Sequence, residues 1–329
     1  MSTTHLRKVL KTKSGSFLLA VPKNWALRMN LKSGDQVFIE ELDDGALLVK
    51  ARVEAEGGEK LSETSIEYSD TLERDLLGRY LIGHDIIKVT SKLKLTLEQK
   101  ERIKKAIAPL IGVEVIEERA NEITLQCLLS PLAVPLRSLF QRANVIAQQM
   151  REDSIKALIE RDVELAQSVV KRDEDLNRIY FLIVRQLRTI IRNPRLAEKA
   201  GIKLYECLDY RLAAKSIESI GDEAVSIAKS TIRLLPCNTK LGIEQEIIEL
   251  SNLVDRMHNS AFNAFMKSDY DLSVQVIGLS SRMRGMADEL NIKALKLPPT
   301  MAFNVSSVVT SLRIIGEISV DIADLVIKP

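Results

Sequence analysis

The chain has 329 residues, 46% of them hydrophobic and 28% charged, with a net charge of +2: an ordinary soluble composition, long enough for two or three domains. Aromatic residues make up only 4%, which with abundant Ile, Leu, Val and Ala favours helix-on-helix packing over a large sandwich. Cys127, Cys207 and Cys237 are scattered and form no CxxC or Cys/His cluster, so the sequence indicates neither a zinc site nor a disulfide framework and fits reduced thiols in the cytosol.

The charge is uneven. Residues 1–52 hold nine Lys/Arg against five Asp/Glu, a net +4, and the remaining residues sum to −2. A basic N-terminal module on a near-neutral body suits nucleic-acid binding, and equally an ordinary solvated surface. The start, MSTTHLRKVLKTK, lacks the apolar core of a signal peptide. The longest uncharged run, Leu297 to Leu312, contains two prolines and Asn304 and is no membrane span, so the expected location is cytoplasmic, with any membrane connection made through a partner.

Residues 5–53 read as β-rich. Phe17 to Val21 is a short apolar run ending at Pro22, and a helix from Lys23 to Met29 follows. A Lys-Ser-Gly-Asp turn at 32–35, a strand Gln36 to Glu40, an Asp-Asp-Gly turn at 43–45 and a strand Ala46 to Ala51 complete the module. So small a module has a marginal core, and sharing a barrel with a second chain would stabilise it. The stretch GSFLLAVPKNWALRMNLKSGDQVFIEELDDGALLV, from Gly15 to Val49, resembles the AbrB/SpoVT swapped-hairpin family in its order of strand, VPK, short helix, xLKxGD, strand, turn and strand. The resemblance implies a homodimer with interleaved hairpins that binds DNA. Its candidate contacts here are Arg7, Lys8, Lys11, Lys13, Lys23 and Arg28. Such residues neutralise phosphates, which gives salt-dependent affinity and little sequence choice.

Residues 54–63, polar and with a Gly-Gly pair, read as a linker. Residues 64–129 read as a small α/β unit: a helix 70–83, a strand 85–90, a helix capped by Thr96 and running to about 108, and a hairpin of 112–118 with 122–129.

From Pro131 the chain is helical, so the fold class is mainly α, with a small N-terminal β domain and a small α/β middle unit. Candidate helices span 133–162, 163–193, 202–235, 244–268, 270–296 and 303–327, separated by Pro and Asn-Pro breaks, and long helices with short connections imply an antiparallel bundle. Ser216, Ile220, Gly221, Val225, Ile227 and Ala228 recur 95 residues later as Ser311, Ile315, Gly316, Val320, Ile322 and Ala323. The helical domain, 130–329, is therefore a duplicated unit of about 130–236 and 243–329.

Asp173 and Asn177 lie four apart on the second of these helices, as do Glu218 and Asp222 on the third, so each pair shares a helix face. On spacing alone, such acids are solvated or paired with Lys and Arg. The segments DEDLNRIYFLIVRQL and LAAKSIESIGDEAVSIA, however, resemble the PhoU family of phosphate-uptake regulators, two three-helix repeats whose E/D-xxx-D motifs bind metal clusters. The resemblance, from Leu136 to Ile327, implies metal ligands at Asp173, Asn177, Glu218 and Asp222, and a divalent or trivalent ion in the first repeat. Asn177 stands where an acid is expected, Ser280 to Arg284 lacks the acids, and Arg313 replaces the Glu of the last motif. Arg313 is expected to pair with Glu317 or a neighbouring helix, putting fixed charge in place of an ion.

No enzyme is expected. His5, His84 and His258 have no catalytic partner in sequence, His258 reads as a surface or interface residue, and GxxxxGK[ST], GxGxxG and GxSxG motifs are missing. The resemblances together imply a regulator of phosphate uptake that acts on DNA, on a phosphate transporter or its signalling partners, or on both. The alternative is a transporter scaffold with no DNA binding, in which the N-terminal module only dimerises.

Overall fold

The computed structural model describes residues 5–41, 45–51, 61–234 and 241–328. It divides into two compact units, 1–61 and 62–329. The Asp-Asp part of the 43–45 turn, residues 54–60 of the expected linker and Cys237 fall outside the described residues.

The first unit contains two hairpins and one short helix. Strand β1 (Val9–Lys11) pairs antiparallel with β2 (Phe17–Leu19). Helix α1 (Lys23–Arg28) follows Pro22, whose fixed φ suits a helix start. Strand β3 (Phe38–Glu41) pairs antiparallel with β4 (Leu47–Lys50). Gly15 and Gly34 turn the chain at φ of 93°, a conformation side chains with a Cβ rarely adopt. Among the described residues each hairpin forms a two-stranded sheet of its own. The apolar side chains of both stand in the open: Leu10 is 62% exposed, Phe17 69% and Ile39 62%.

The second unit opens with a four-stranded sheet. Strand β5 (Glu63–Glu67) crosses over through α2 (Leu72–Ile82) to the parallel strand β6 (Ile86–Thr90). Helix α3 (Leu97–Ile107) leads to the hairpin β7 (Val113–Glu118) and β8 (Glu122–Cys127), giving the sheet order β5-β6-β8-β7. Thr96 caps α3 as expected, in a reciprocal capping box with Gln99. The core of this part holds Leu72, Leu76, Tyr80, Val89, Ile103 and Leu125. Strand β5 corrects the sequence reading, which placed Glu63 in the linker. Ile66 is its only buried residue, so it carries almost no apolar signal.

The helical domain follows with α4 (Leu136–Glu160), α5 (Val163–Arg192), α6 (Arg195–Ala200), α7 (Glu206–Leu234), α8 (Glu244–Lys267), α9 (Tyr270–Gly278), α10 (Ser280–Ala294) and α11 (Pro299–Asp324). Three differences from the expected boundaries are the largest. The expected helix 270–296 is interrupted at Leu279, within the weak helix formers Gly278, Ser280 and Ser281. The expected helix 202–235 begins at Glu206, behind the short α6 that ends at Gly201 in the left-handed region. The last helix starts at Pro299, because proline is welcome in a first turn.

The duplication is visible in the joints. Arg161 and Ser268 end α4 and α8 in the left-handed conformation, and the next residues, Asp162 and Asp269, cap the following helices through the backbone N–H of Leu165 and Leu272. Gly221 lets α7 close on Leu176, and Gly316 lets α11 close on Met283. Helices α5, α7, α11 and α10 pack in that order, with α4 across α5 and α7 and α8 across α11 and α10.

Two polar features hold this unit together. Arg185 of α5 donates from Nη1 to the carbonyls of Tyr80 and His84, both at 2.8 Å, and from Nη2 to Asp85 Oδ1 at 3.2 Å. Arg192, two turns on, donates to the carbonyl of Ile82 at 2.6 Å. Both guanidinium groups thus sit at the C-terminal end of α2, where free carbonyls and the helix dipole favour a cation. In the bundle core, Arg151 of α4 and His258 of α8 are fully buried, and Arg151 contacts Asp255. His258 is therefore a core residue. The surface reading followed its charged neighbours, Asp255 and Arg256, and overlooked its place on the buried face with Val254, Ala261 and Phe262.

Candidate functional site

The residues expected to hold a metal ion lie on the acid face where α5 meets α7. Helix α5 brings Asp173 and Asn177 to it, and α7 brings Glu218 and Asp222, one turn apart as their spacing requires. Asn177 Nδ2 donates to Asp173 Oδ2 at 2.9 Å, while Asp173 Oδ1 is buried with no hydrogen-bond partner. Glu218, whose side chain is only 12% exposed, accepts a hydrogen bond from Lys215 Nζ. The same Nζ lies 3.8 Å from Asp222 Oδ2.

The electrostatics follow from this crowding. Burial, then the neighbouring Glu218 charge, raises the carboxyl of Asp173 above its ordinary range. Asp222 is pushed up to about 6 by burial and then by Glu218, with Lys215 working against the shift. Burial opposes the charge of Lys215, but its hydrogen bond to Glu218 and the charges of Glu218 and Asp222 outweigh it and hold the ammonium group above its usual pKa. Beside this cluster, a groove of about 340 Å³ runs between α7 and α11, lined by Leu212, Lys215, Asp222, Ile314, Ile318 and Asp321 among others.

The second repeat presents the equivalent face in another form. Arg313 Nε lies 3.3 Å and Arg284 Nε 3.5 Å from Glu317 Oε1, and Arg313 Nη1 lies 3.8 Å from Asp288 Oδ1. Arg313 thus pairs both with Glu317 and with the neighbouring helix, as its position in the motif suggests.

The four residues expected to hold a metal ion are brought to one face, and carboxylate and amide oxygens suit a hard cation. The orphaned Asp173 Oδ1 also points that way. The arrangement itself does not fit. Among the described residues no three His, Cys, Asp or Glu side chains converge closely enough to share an ion, and Lys215 already stands on two of the acids. Lys215 went unread in the sequence, although it lies three residues before Glu218 and seven before Asp222 and so shares their face.

The expected DNA contacts lie in the first unit. Arg7, Lys8, Lys11 and Lys13 sit on and around β1, and Lys23 and Arg28 at the two ends of α1; all six are exposed. The ammonium group of Lys11 also lies over the ring of Phe17, 5.8 Å from its centroid. Among the described residues no helix is long and apolar enough to cross a membrane.

Comparison with known proteins bears on the helical domain. Residues 140–231 match the PhoU domain family. This span runs from α4 to the end of α7 and contains the whole acid face. The phosphate-specific transport system accessory protein PhoU homolog of Pseudomonas aeruginosa is 25% identical over 188 residues, 55% of this chain and 76% of that protein. The Clostridium acetobutylicum PhoU homolog is 30% identical over 88 residues, and the chain spans only 37% of it. The crystal structure of PhoU from P. aeruginosa superposes with a TM-score of 0.53 at 24% identity, covering 58% of this chain and 93% of that one. The phosphate transport system regulatory protein PhoU of Streptococcus pneumoniae gives the same TM-score at 14% identity, covering 58% and 91%. The helical domain therefore has the PhoU fold, preceded by an N-terminal hairpin unit and an α/β part.

Proposed function

We propose that this chain regulates phosphate uptake by coupling its PhoU-like helical domain to a dimeric, DNA-binding N-terminal unit. The relatives named as phosphate-transport accessory proteins support the phosphate part of this reading. The single observation that carries the rest is the state of the first unit. Its two hairpins leave Leu10, Phe17, Leu18, Phe38 and Ile39 exposed, and helix α1 buries no residue. A unit with so much apolar surface gains its core from a second copy, and interleaved hairpins of the AbrB/SpoVT kind would supply it. Pairing would also double the basic residues on one assembly, which is the electrostatic basis of DNA binding.

A change in the helical domain reaches DNA in this reading only if an input binds two arrangements of the repeats unequally. Phosphate transporters or their signalling proteins are the partners on the other side. The names of the relatives also favour a second reading, in which the chain serves the transporter alone and its first unit only dimerises.

Substituting Lys8, Lys11 and Lys13 together by alanine separates the two. Each lost phosphate contact lowers the slope of log affinity against log salt by about 0.9 for duplex DNA, so the triple variant is expected to lose roughly 2 to 3 in slope while remaining folded and dimeric. Fluorescence anisotropy over a salt series measures it. An unchanged slope favours the transporter-only reading.

A further inference from the structure

We propose that Lys215 is the resident cation of the first repeat's acid cluster, so that this helical domain carries fixed cations in both repeats where metal ions would otherwise bind. The inference concerns the bundle alone and holds whether or not the first unit binds DNA.

The comparison of the two repeats carries it. Leu176 against Gly221 and Met283 against Gly316 fix the structural equivalence of the two helix pairs. Asn177 then corresponds to Arg284, Glu218 to Arg313 and Asp222 to Glu317. In the second repeat a guanidinium group stands at the equivalents of Asn177 and Glu218, and both reach Glu317. The first repeat keeps its acids, yet a cation arrives from another position. Lys215, whose equivalent is Thr310, reaches across one turn to contact Glu218 and approach Asp222. Both repeats therefore set side-chain cations against the acids of this face, by different substitutions.

The chemistry is that of a compact ammonium ion on a long flexible stem, which offers hydrogen bonds to carboxylates and brings one positive charge. A divalent ion entering the cluster would have to displace that group from Glu218 or sit beside it against like-charge repulsion. Asp173 Oδ1 is an acceptor of this cluster that is buried without a hydrogen-bond partner.

Removing the ammonium group should open the cluster. Mn2+ is a suitable probe, because it takes oxygen ligands and its free aqua ion gives an electron paramagnetic resonance signal that is lost on binding. The wild type, Lys215→Met, Lys215→Gln and Lys215→Met combined with Glu218→Gln would be titrated, with circular dichroism confirming that each is folded. The expected result is a single Mn2+ held by both Lys215 variants at least ~10-fold more tightly than by the wild type. That gain should disappear when Glu218→Gln is added. The proposal is overturned if the wild type binds Mn2+ as tightly as the variants, or if neither folded Lys215 variant gains any affinity.

Discussion

Replacing Arg185 with methionine is expected to destabilise the second unit by about 1.5–3 kcal/mol, the range for losing a buried charged donor from its acceptors. Methionine keeps much of the length and apolar bulk, so the loss reports the guanidinium group and not a cavity. The substitution removes the side-chain donor from the carbonyl of His84 and from that of Tyr80, which keeps only the backbone N–H of Gly83, and it leaves Asp85 with Ser62 but without its cation. It also removes the guanidinium from above the ring of Tyr80, 5.0 Å from its centroid. Because the end of α2 is fixed to α5 through Arg185 and Arg192, the sheet part should loosen before the bundle. Urea unfolding followed by hydrogen exchange checks this. Early exchange in β6, β7 and β8 with a protected α4 and α7 is the expected pattern, and unchanged stability would contradict it.

A second large effect is acid destabilisation through His258. Burial, helped by the charge of Arg151, pushes its pKa down to about 3, against an ordinary value near 6.5 in the unfolded chain. The folded protein thus holds His258 neutral while the unfolded chain takes up a proton below pH ~6.5. Stability therefore falls as pH drops through that value, by about 1.4 kcal/mol per pH unit until the folded pKa is reached. The raised carboxyls of Asp173, Asp209, Asp222 and Asp321 act in the opposite sense, since they take up protons in the folded state before they do in the unfolded one. A comparison of variants isolates the histidine. His258→Leu should track the wild type near pH 7.5 and exceed its stability by roughly 2–3 kcal/mol at pH 4.5. Equal pH dependence in the two proteins would show that His258 takes up its proton in the folded state as readily as in the unfolded one.

Much of the fold could be read from residues that act locally. Thr96 and the Pro and Asn-Pro breaks set helix ends through hydrogen bonds and backbone restrictions reaching only a few residues, and these are found close to where the sequence puts them. The recurrence of Gly221 as Gly316 marked the duplication because close helix approach requires a small residue at both places. The interruption at Leu279 was not legible, since the apolar pattern continues across it and only weak helix propensity marks the site. Strand β5 was hidden for a related reason: an edge strand with one buried side chain looks like a linker.

The candidate site was legible in part. Spacing placed Asp173, Asn177, Glu218 and Asp222 in two pairs, and the α5–α7 packing brings the pairs to one face. Which cation meets them was only half legible, because spacing puts Lys215 on the face of Glu218 and Asp222 but does not single it out from other helix lysines. Arg151, Arg185 and His258 were missed for the opposite reason, since charged and polar types are rarely expected in a core. Their burial depends on partners far away in sequence, such as Tyr80 and His84 for Arg185.

The central claim, that the first unit places a PhoU-like domain on DNA, is tested most directly by a salt titration of binding to DNA from upstream of phosphate-transport genes. The intact protein would be compared with one beginning at Ser62, where the second unit starts. The account predicts sequence-selective binding by the intact protein that weakens steeply with salt, and its loss in the shortened one. Equal binding by both proteins, or none by the intact protein at low salt, would contradict it.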